Sequence, residues 1–116
     1  MRDEGPKKYI IQKLHFDEAQ CKLYEIEIQQ HRKEIHENEK LINKTRNELY
    51  FQLKYQTSTQ KIDSLTFEIA QLHLNAERIN FRHFLKIKQL CKPEQINDFN
   101  DLTEEIAHLF SPKHKK

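Results

Sequence analysis

The chain has no tryptophan, one glycine (Gly5) and three prolines (Pro6, Pro93 and Pro112) in 116 residues. Sheet proteins turn on glycines at positive φ, so a single glycine excludes a sheet-rich fold. No proline or glycine falls between Asp17 and about Tyr55, so nothing in that interval interrupts a helix. No apolar run approaches the roughly 18–20 residues of a membrane span. The N-terminal MRDEGPKK is charged and lacks the apolar core of a signal peptide. Neither sign of charge dominates. The 20 basic and 18 acidic residues are interspersed, leaving a net charge of +2, so the basic stripe of a nucleic-acid binder is missing. Missing too are a glycine-rich phosphate loop, a CxxC, an HExxH and a nucleophile elbow. Ser58, Ser64 and Ser111 have no organised base. The expectation is a protein that is not an enzyme.

What is present is charge and helix-forming periodicity. Charged residues make up 33% of the chain and hydrophobic ones 36%. That hydrophobic share is thin for a compact monomeric core, and it suits elongated helices that share a core between two chains. The length accommodates one domain, over residues 6–110, between a disordered 1–5 and a disordered basic tail, 111–116.

Pro6 suits a helix start, and Lys7–Leu14 reads as a short helix with Tyr9, Ile10, Ile11 and Leu14 available for burial. Asp17 with Gln20 forms a capping-box pair opening the next helix. That helix runs to about Tyr55, some 55 Å at 1.5 Å per residue. Cys21, Ile28, Ile35, Ile42 and Leu49 recur along it at a spacing of seven. The companion positions Tyr24, His31, Asn38, Thr45 and Gln52 are mostly polar, which suits one arm of a hairpin with a narrow buried stripe.

Gln56–Thr59 interrupts the helix, and Thr57 with Gln60 offers a new cap. The second long helix reaches about Leu90. Its stripe is Ile62, Leu65, Ile69, Leu72, Ala76, Ile79, His83 and Leu90. Phe67, Leu74, Phe81 and Phe84 form a second apolar stripe, either a dimer seam or a surface for client protein, with the seam favoured. Lys92-Pro93 makes a corner, because a residue before proline avoids the α region. Pro93 opens a last helix with Glu94 and Gln95 in its first turn and Ile96, Phe99, Leu102, Ile106 and Leu109 on its buried face. The fold class is all-α: a long antiparallel hairpin, a short N-terminal helix, and a C-terminal helix after a proline corner.

Equal arms about residues 56–59 pair positions whose numbers sum to about 112. Cys21 then lies level with Cys91, and His31 nearly level with His83. Two readings of the cysteines stand open: a disulfide closing the open end of the hairpin in an oxidising compartment, or reduced core residues, the reading preferred. Seven histidines raise the question of metal. His31 and His36 are five apart and on different faces, whereas chelating pairs on a helix are three or four apart. His31 with His83 is the better metal candidate, for Zn, Ni or Cu, although a hydrogen-bonded pair between helices is the preferred reading. His73 with Glu77 reads as a solvated pair, and His15, His108 and His114 have no evident partner.

Leu90-Cys91-Lys92-Pro93-Glu94-Gln95 resembles the L-T-P-E-Q element of the Spy/CpxP superfamily. Phe16-Asp17-Glu18-Ala19-Gln20 is similar to the second, degenerate L-T-x-x-Q copy that the family carries near its N-terminus. The spacing of the copies, the intervening hairpin and Phe99 after the second copy agree, over about residues 6–110. Asp17 and Lys92 stand where the family has Thr, and Phe16 and Cys91 where it has Leu. Asp17 keeps the capping chemistry, while Lys92 has no acceptor with which to cap. His83-Phe84 ahead of Pro93 is like the heavy-metal-resistance (CnrX-like) branch.

The resemblance implies an all-helical, cradle-like homodimer of the bacterial periplasm, soluble or N-terminally anchored. The chain would then be one whose signal or anchor has been removed. It implies a role in envelope stress: binding unfolded or stress-exposed client protein without ATP, or, alternatively, metal-responsive regulation of a membrane or anti-sigma partner. The branch's His-x-x-x-Met ligand pair maps to His83 and Ile87, and its two histidines and glutamate to Lys7, Ile11 and Ile28. One ligand in five is retained, so that metal site is not expected. A cytosolic helical-hairpin scaffold resembling the family by convergence is the third reading.

Overall fold

The computed structural model describes residues 4–110. Residues 1–3 and the basic tail 111–116 lie outside the described residues, as do the side chains of residues 4, 5, 107, 109 and 110, Leu109 among them. Four helices make up the chain: α1 (Glu4–Leu14), α2 (Glu18–Phe51), α3 (Thr59–Leu90) and α4 (Ile96–Phe110). No strand occurs among the described residues, and the all-α, hairpin-forming architecture follows the sequence pattern. No described helix is long and apolar enough to cross a membrane.

Two compact units divide the chain, one formed by its two ends, up to Ile26 and from Leu85, the other by Glu27–Phe84. The end unit holds most of the apolar core. Ile10, Leu14, Phe16 and Tyr24 from the N-terminal side are buried, as are Ile87, Phe99 and Leu102 from the C-terminal side. α1 packs on α4, and Phe16 meets Tyr24 edge to face with ring centroids 5.7 Å apart. Tyr9 was expected in this core, yet it is largely exposed, and its hydroxyl donates to Glu105 at 2.6 Å. The hydroxyl keeps its polar tip at the rim, where the ring edge can stay wet.

α1 starts at Glu4, so Glu4 and Gly5 are helical where a disordered lead-in to Pro6 is the sequence expectation. Proline is tolerated there because first-turn N–H groups need no partner within the helix. α1 ends in a Schellman motif: Phe16 N–H donates to the Ile11 carbonyl and His15 N–H to Gln12. His15 takes the left-handed conformation (φ 59°) that this motif usually gives to glycine.

The central unit is the hairpin proper. Asn38 Nδ2 donates to the Leu72 carbonyl at 2.9 Å, His31 lies against Asn80, and Arg82 pairs with Glu34 at 2.7 Å. These pairings hold the expected register to within a turn. The apolar members of its seam that are buried are Ile42, Leu65, Ile79 and Phe84, beside three buried polar ones, Asn38, Thr45 and His83. The mostly polar companion positions His31, Asn38, Thr45 and Gln52 are therefore at least as enclosed as Ile28, Ile35 and Leu49, which are half-buried. Asn38 is tolerated there because it is satisfied: Asn75 Nδ2 donates to Asn38 Oδ1 at 2.8 Å while Asn38 donates to Leu72.

The turn departs from expectation in two places. α2 stops at Phe51 and tightens into a 3-10 turn over Gln52–Lys54. Ser58, not Thr57, caps α3, its Oγ accepting from Lys61 N–H at 3.2 Å. Thr57 is diverted, its hydroxyl donating to Gln52 Oε1 at 3.0 Å across the turn.

Candidate functional site

The two copies of the motif that carries the sequence resemblance meet in the end unit. The first opens α2. Asp17 Oδ1 accepts from Gln20 N–H at 2.8 Å, and Gln20 Oε1 accepts from Asp17 N–H at 2.9 Å, a complete capping box. The second opens the corner into α4, where Pro93–Gln95 forms a 3-10 turn that delays α4 to Ile96. Gln95 Oε1 accepts from Lys92 N–H at 2.7 Å. A lysine has no acceptor, so Gln95 N–H falls back on the Lys92 carbonyl at 2.8 Å.

The two glutamine side chains then clasp each other. Gln20 Nε2 donates to Gln95 Oε1 at 2.8 Å, and Gln95 Nε2 donates to Gln20 Oε1 at 3.2 Å. The second N–H of Gln20 reaches the Leu90 carbonyl at 2.7 Å, and that of Gln95 reaches the His15 carbonyl at 2.9 Å. Each amide offers two donors and two acceptor sites, and all are used. The partners exchange under a shift of 75 residues: Asp17 with Lys92, Gln20 with Gln95, His15 with Leu90. Both glutamines are buried. A saturated buried network fixes one geometry and leaves no polar group for a ligand, so the motif is a structural clasp.

Asp17 and Lys92, which hold equivalent places in the two corners, pair with each other. Lys92 Nζ lies 2.7 Å from Asp17 Oδ2. The bond to Lys92, helped by the Gln20 amide, holds the Asp17 carboxyl below the usual carboxylate range, and Asp17 holds the Lys92 ammonium above its usual value. The pair is solvent-exposed and links the two corners by charge.

Of the remaining motif residues, Phe16 is buried, Leu90 is half-buried, and Pro93 and Glu94 are exposed. Cys21 and Cys91 are free thiols, both half-buried, and the disulfide is not formed. Each turns to a backbone carbonyl instead, Cys91 to Ile87 at 3.6 Å and Cys21 to Phe16 at 4.0 Å. Burial, with Asp98 nearby, pushes the Cys91 thiol up, away from the reactive thiolate.

In the central unit His31 and His83 do come together, but by stacking. Their ring centroids are 4.0 Å apart and the planes 18° from parallel. They do not bond to each other as the sequence reading preferred: His31 Nε2 lies 2.8 Å from Asn80 Oδ1, and His83 Nδ1 lies 2.9 Å from Glu27 Oε2. Phe84 meets His83 edge-on at 5.1 Å. Imidazole lone pairs lie in the ring plane, so two nearly parallel stacked rings cannot aim theirs at one ion. Among the described residues, no group of three His, Cys, Asp or Glu is placed to hold a metal ion. Burial lowers the His83 pKa, the Glu27 hydrogen bond opposes this, and the His31 charge adds to the lowering. The net direction is down, so the buried ring is held neutral.

The second apolar stripe divides. Phe67, Leu74 and Phe81 are exposed at 63%, 45% and 73%, whereas Phe84 is buried at 8% and belongs to the seam. At 100° per residue Phe84 lies about 60° from Phe81, toward the His83 side, which is why grouping the four was wrong. Sequence reasoning also missed Glu27, Asn80 and Asn75, polar residues with no motif around them. The mutual contact of Gln20 and Gln95 had a signal, since each stands three residues after a helix cap. Comparison with protein-family models, with curated proteins and with solved structures finds no match to this chain.

Proposed function

We propose that the chain is a non-enzymatic binding protein of the Spy/CpxP type, which works as a homodimer in a bacterial envelope and holds unfolded or stress-exposed protein without ATP. The twin-glutamine clasp supports the family reading, because the residues that carry the resemblance act as one unit. The paired change to Asp17 and Lys92 supports it too, since each departure makes the other useful.

The observation that carries the binding role is the exposed stripe Phe67, Leu74, Phe81 on α3. Its members are seven residues apart, the spacing that keeps a face turned toward another helix. The central unit has a thin apolar core, and α3 presents this second face exposed among the described residues. A second copy supplies a matching stripe by two-fold symmetry. Client contacts then fall to single exposed apolar side chains set among lysines, such as Leu41 beside Lys40 and Lys44.

Two measurements test this reading. Sedimentation of the wild type should give a dimer, and Phe67→Ser with Phe81→Ser should give a folded monomer, since both residues are exposed within one chain. The wild type should also suppress aggregation of a reduced, denatured client. A monomeric wild type overturns the dimer, and no suppression at stoichiometric excess overturns the chaperone role.

A further inference from the structure

The tip of the hairpin carries the densest exposed apolar cluster among the described residues, and neither the clasp nor the α3 stripe uses it. Tyr50, Phe51, Leu53 and Tyr55 fall within six residues and are exposed at 60%, 48%, 82% and 60%. The 3-10 turn over Gln52–Lys54 buries no residue. Phe51 and Tyr55 meet edge to face at 5.5 Å, and Lys54 Nζ sits 4.7 Å over the Phe51 ring. The Thr57 bond to Gln52 closes the turn beneath them. The cluster is thus held in shape while its apolar surface faces water.

The charges around it are mostly positive. Between residues 44 and 61 stand Lys44, Arg46, Lys54 and Lys61, all exposed, against a single carboxylate, Glu48. The rest of the chain mixes its charges almost evenly. A convex end with a protruding leucine, a phenylalanine, two tyrosines and flanking cations has the chemistry of an interfacial anchor. The apolar groups enter the acyl boundary, tyrosines sit at the headgroups, and lysines reach back to the phosphates. A protein partner would have to supply a cavity for this convex end, whereas a bilayer yields to it.

We infer that the hairpin tip docks onto the surface of an anionic phospholipid bilayer. Aromatic and aliphatic side chains at 50–55 insert, and Lys44, Arg46, Lys54 and Lys61 select the negative surface. The contact is peripheral and independent of the α3 stripe.

The test is flotation of the full chain with vesicles of mixed phosphatidylglycerol and phosphatidylcholine, against phosphatidylcholine alone. The wild type is expected to float with the anionic vesicles and to be released by high salt. Phe51→Ser with Leu53→Ser should abolish flotation, with the helical circular dichroism unchanged. Lys54→Gln with Lys61→Gln should weaken partitioning about 25-fold, at about fivefold per cation near the surface. Phe67→Ser with Phe81→Ser should leave flotation intact, which separates this site from the dimer seam. Absence of flotation, equal flotation with neutral vesicles, or flotation unchanged by the folded tip variants would each overturn the inference.

Discussion

Gln20→Ala removes four hydrogen bonds at once: from Asp17 N–H, to the Leu90 carbonyl, and both arms of the exchange with Gln95. Asp17 N–H and the Leu90 carbonyl are only part-buried and can be rehydrated. The stranded Gln95 amide is buried, and each buried unsatisfied group costs about 1–3 kcal/mol. Loss of the buried side-chain methylene adds about 0.8 kcal/mol. The expected destabilisation is about 3–4 kcal/mol, and Gln95→Ala should match it because the partners exchange. The double variant strands neither amide, so it should cost less than the two single losses together, with a coupling of about 1–3 kcal/mol. Urea unfolding followed by circular dichroism gives the cycle, and hydrogen exchange at the Asp17 and Lys92 amides reports the corner itself. Single losses below about 0.5 kcal/mol, the range of an ordinary surface change, would refute the clasp. So would additivity within about 0.5 kcal/mol.

Two further outcomes follow from the same geometry. His83 is held neutral, so the unfolded chain binds more protons than the folded one between the lowered value and the ordinary 6.5. Its contribution is therefore complete above about pH 6.5 and is lost as the pH falls through that window. Denaturation midpoints at about pH 7.5 and about pH 5 should show the loss, and His83→Gln should flatten it; an unchanged slope refutes the assignment. His15 occupies a left-handed position at a cost of about 1 kcal/mol for a residue with a Cβ, and its contact with Asp98 is exposed and long at 3.6 Å. His15→Gly should raise the melting temperature by several degrees, and a fall would show that the His15 side chain matters more than its backbone.

The helices were legible because their causes are local. Uninterrupted helix formers, Asp17 with Gln20, and Pro93 marked α2, α3 and the last corner, and the equal arms set a register that holds in the central unit. What was not legible depends on three dimensions. The burial of Asn38 was not legible, since its partners Leu72 and Asn75 lie across the hairpin. Phe84 reads as part of the Phe81 stripe, although the helical phase, itself legible in the sequence, sets it about 60° away and the structure buries it. Ser58 displaced Thr57 as the cap because the turn gave Thr57 another acceptor. The resemblance pointed to Gln20 and Gln95 but not to their contact, which spans 75 positions of sequence.

That separation has a kinetic consequence. The hairpin about residues 52–58 closes a short loop and can zip from the turn outward, each contact bringing the next within reach. The end unit cannot begin this way: its two segments are divided by Glu27–Phe84, and its clasp needs Gln95 to have met Gln20. Closing so long a loop carries an entropy cost that the short loop avoids, and distant pairings form late for that reason. During synthesis the first twenty residues must therefore wait, with Ile10, Leu14 and Phe16 uncovered, until most of the chain has emerged.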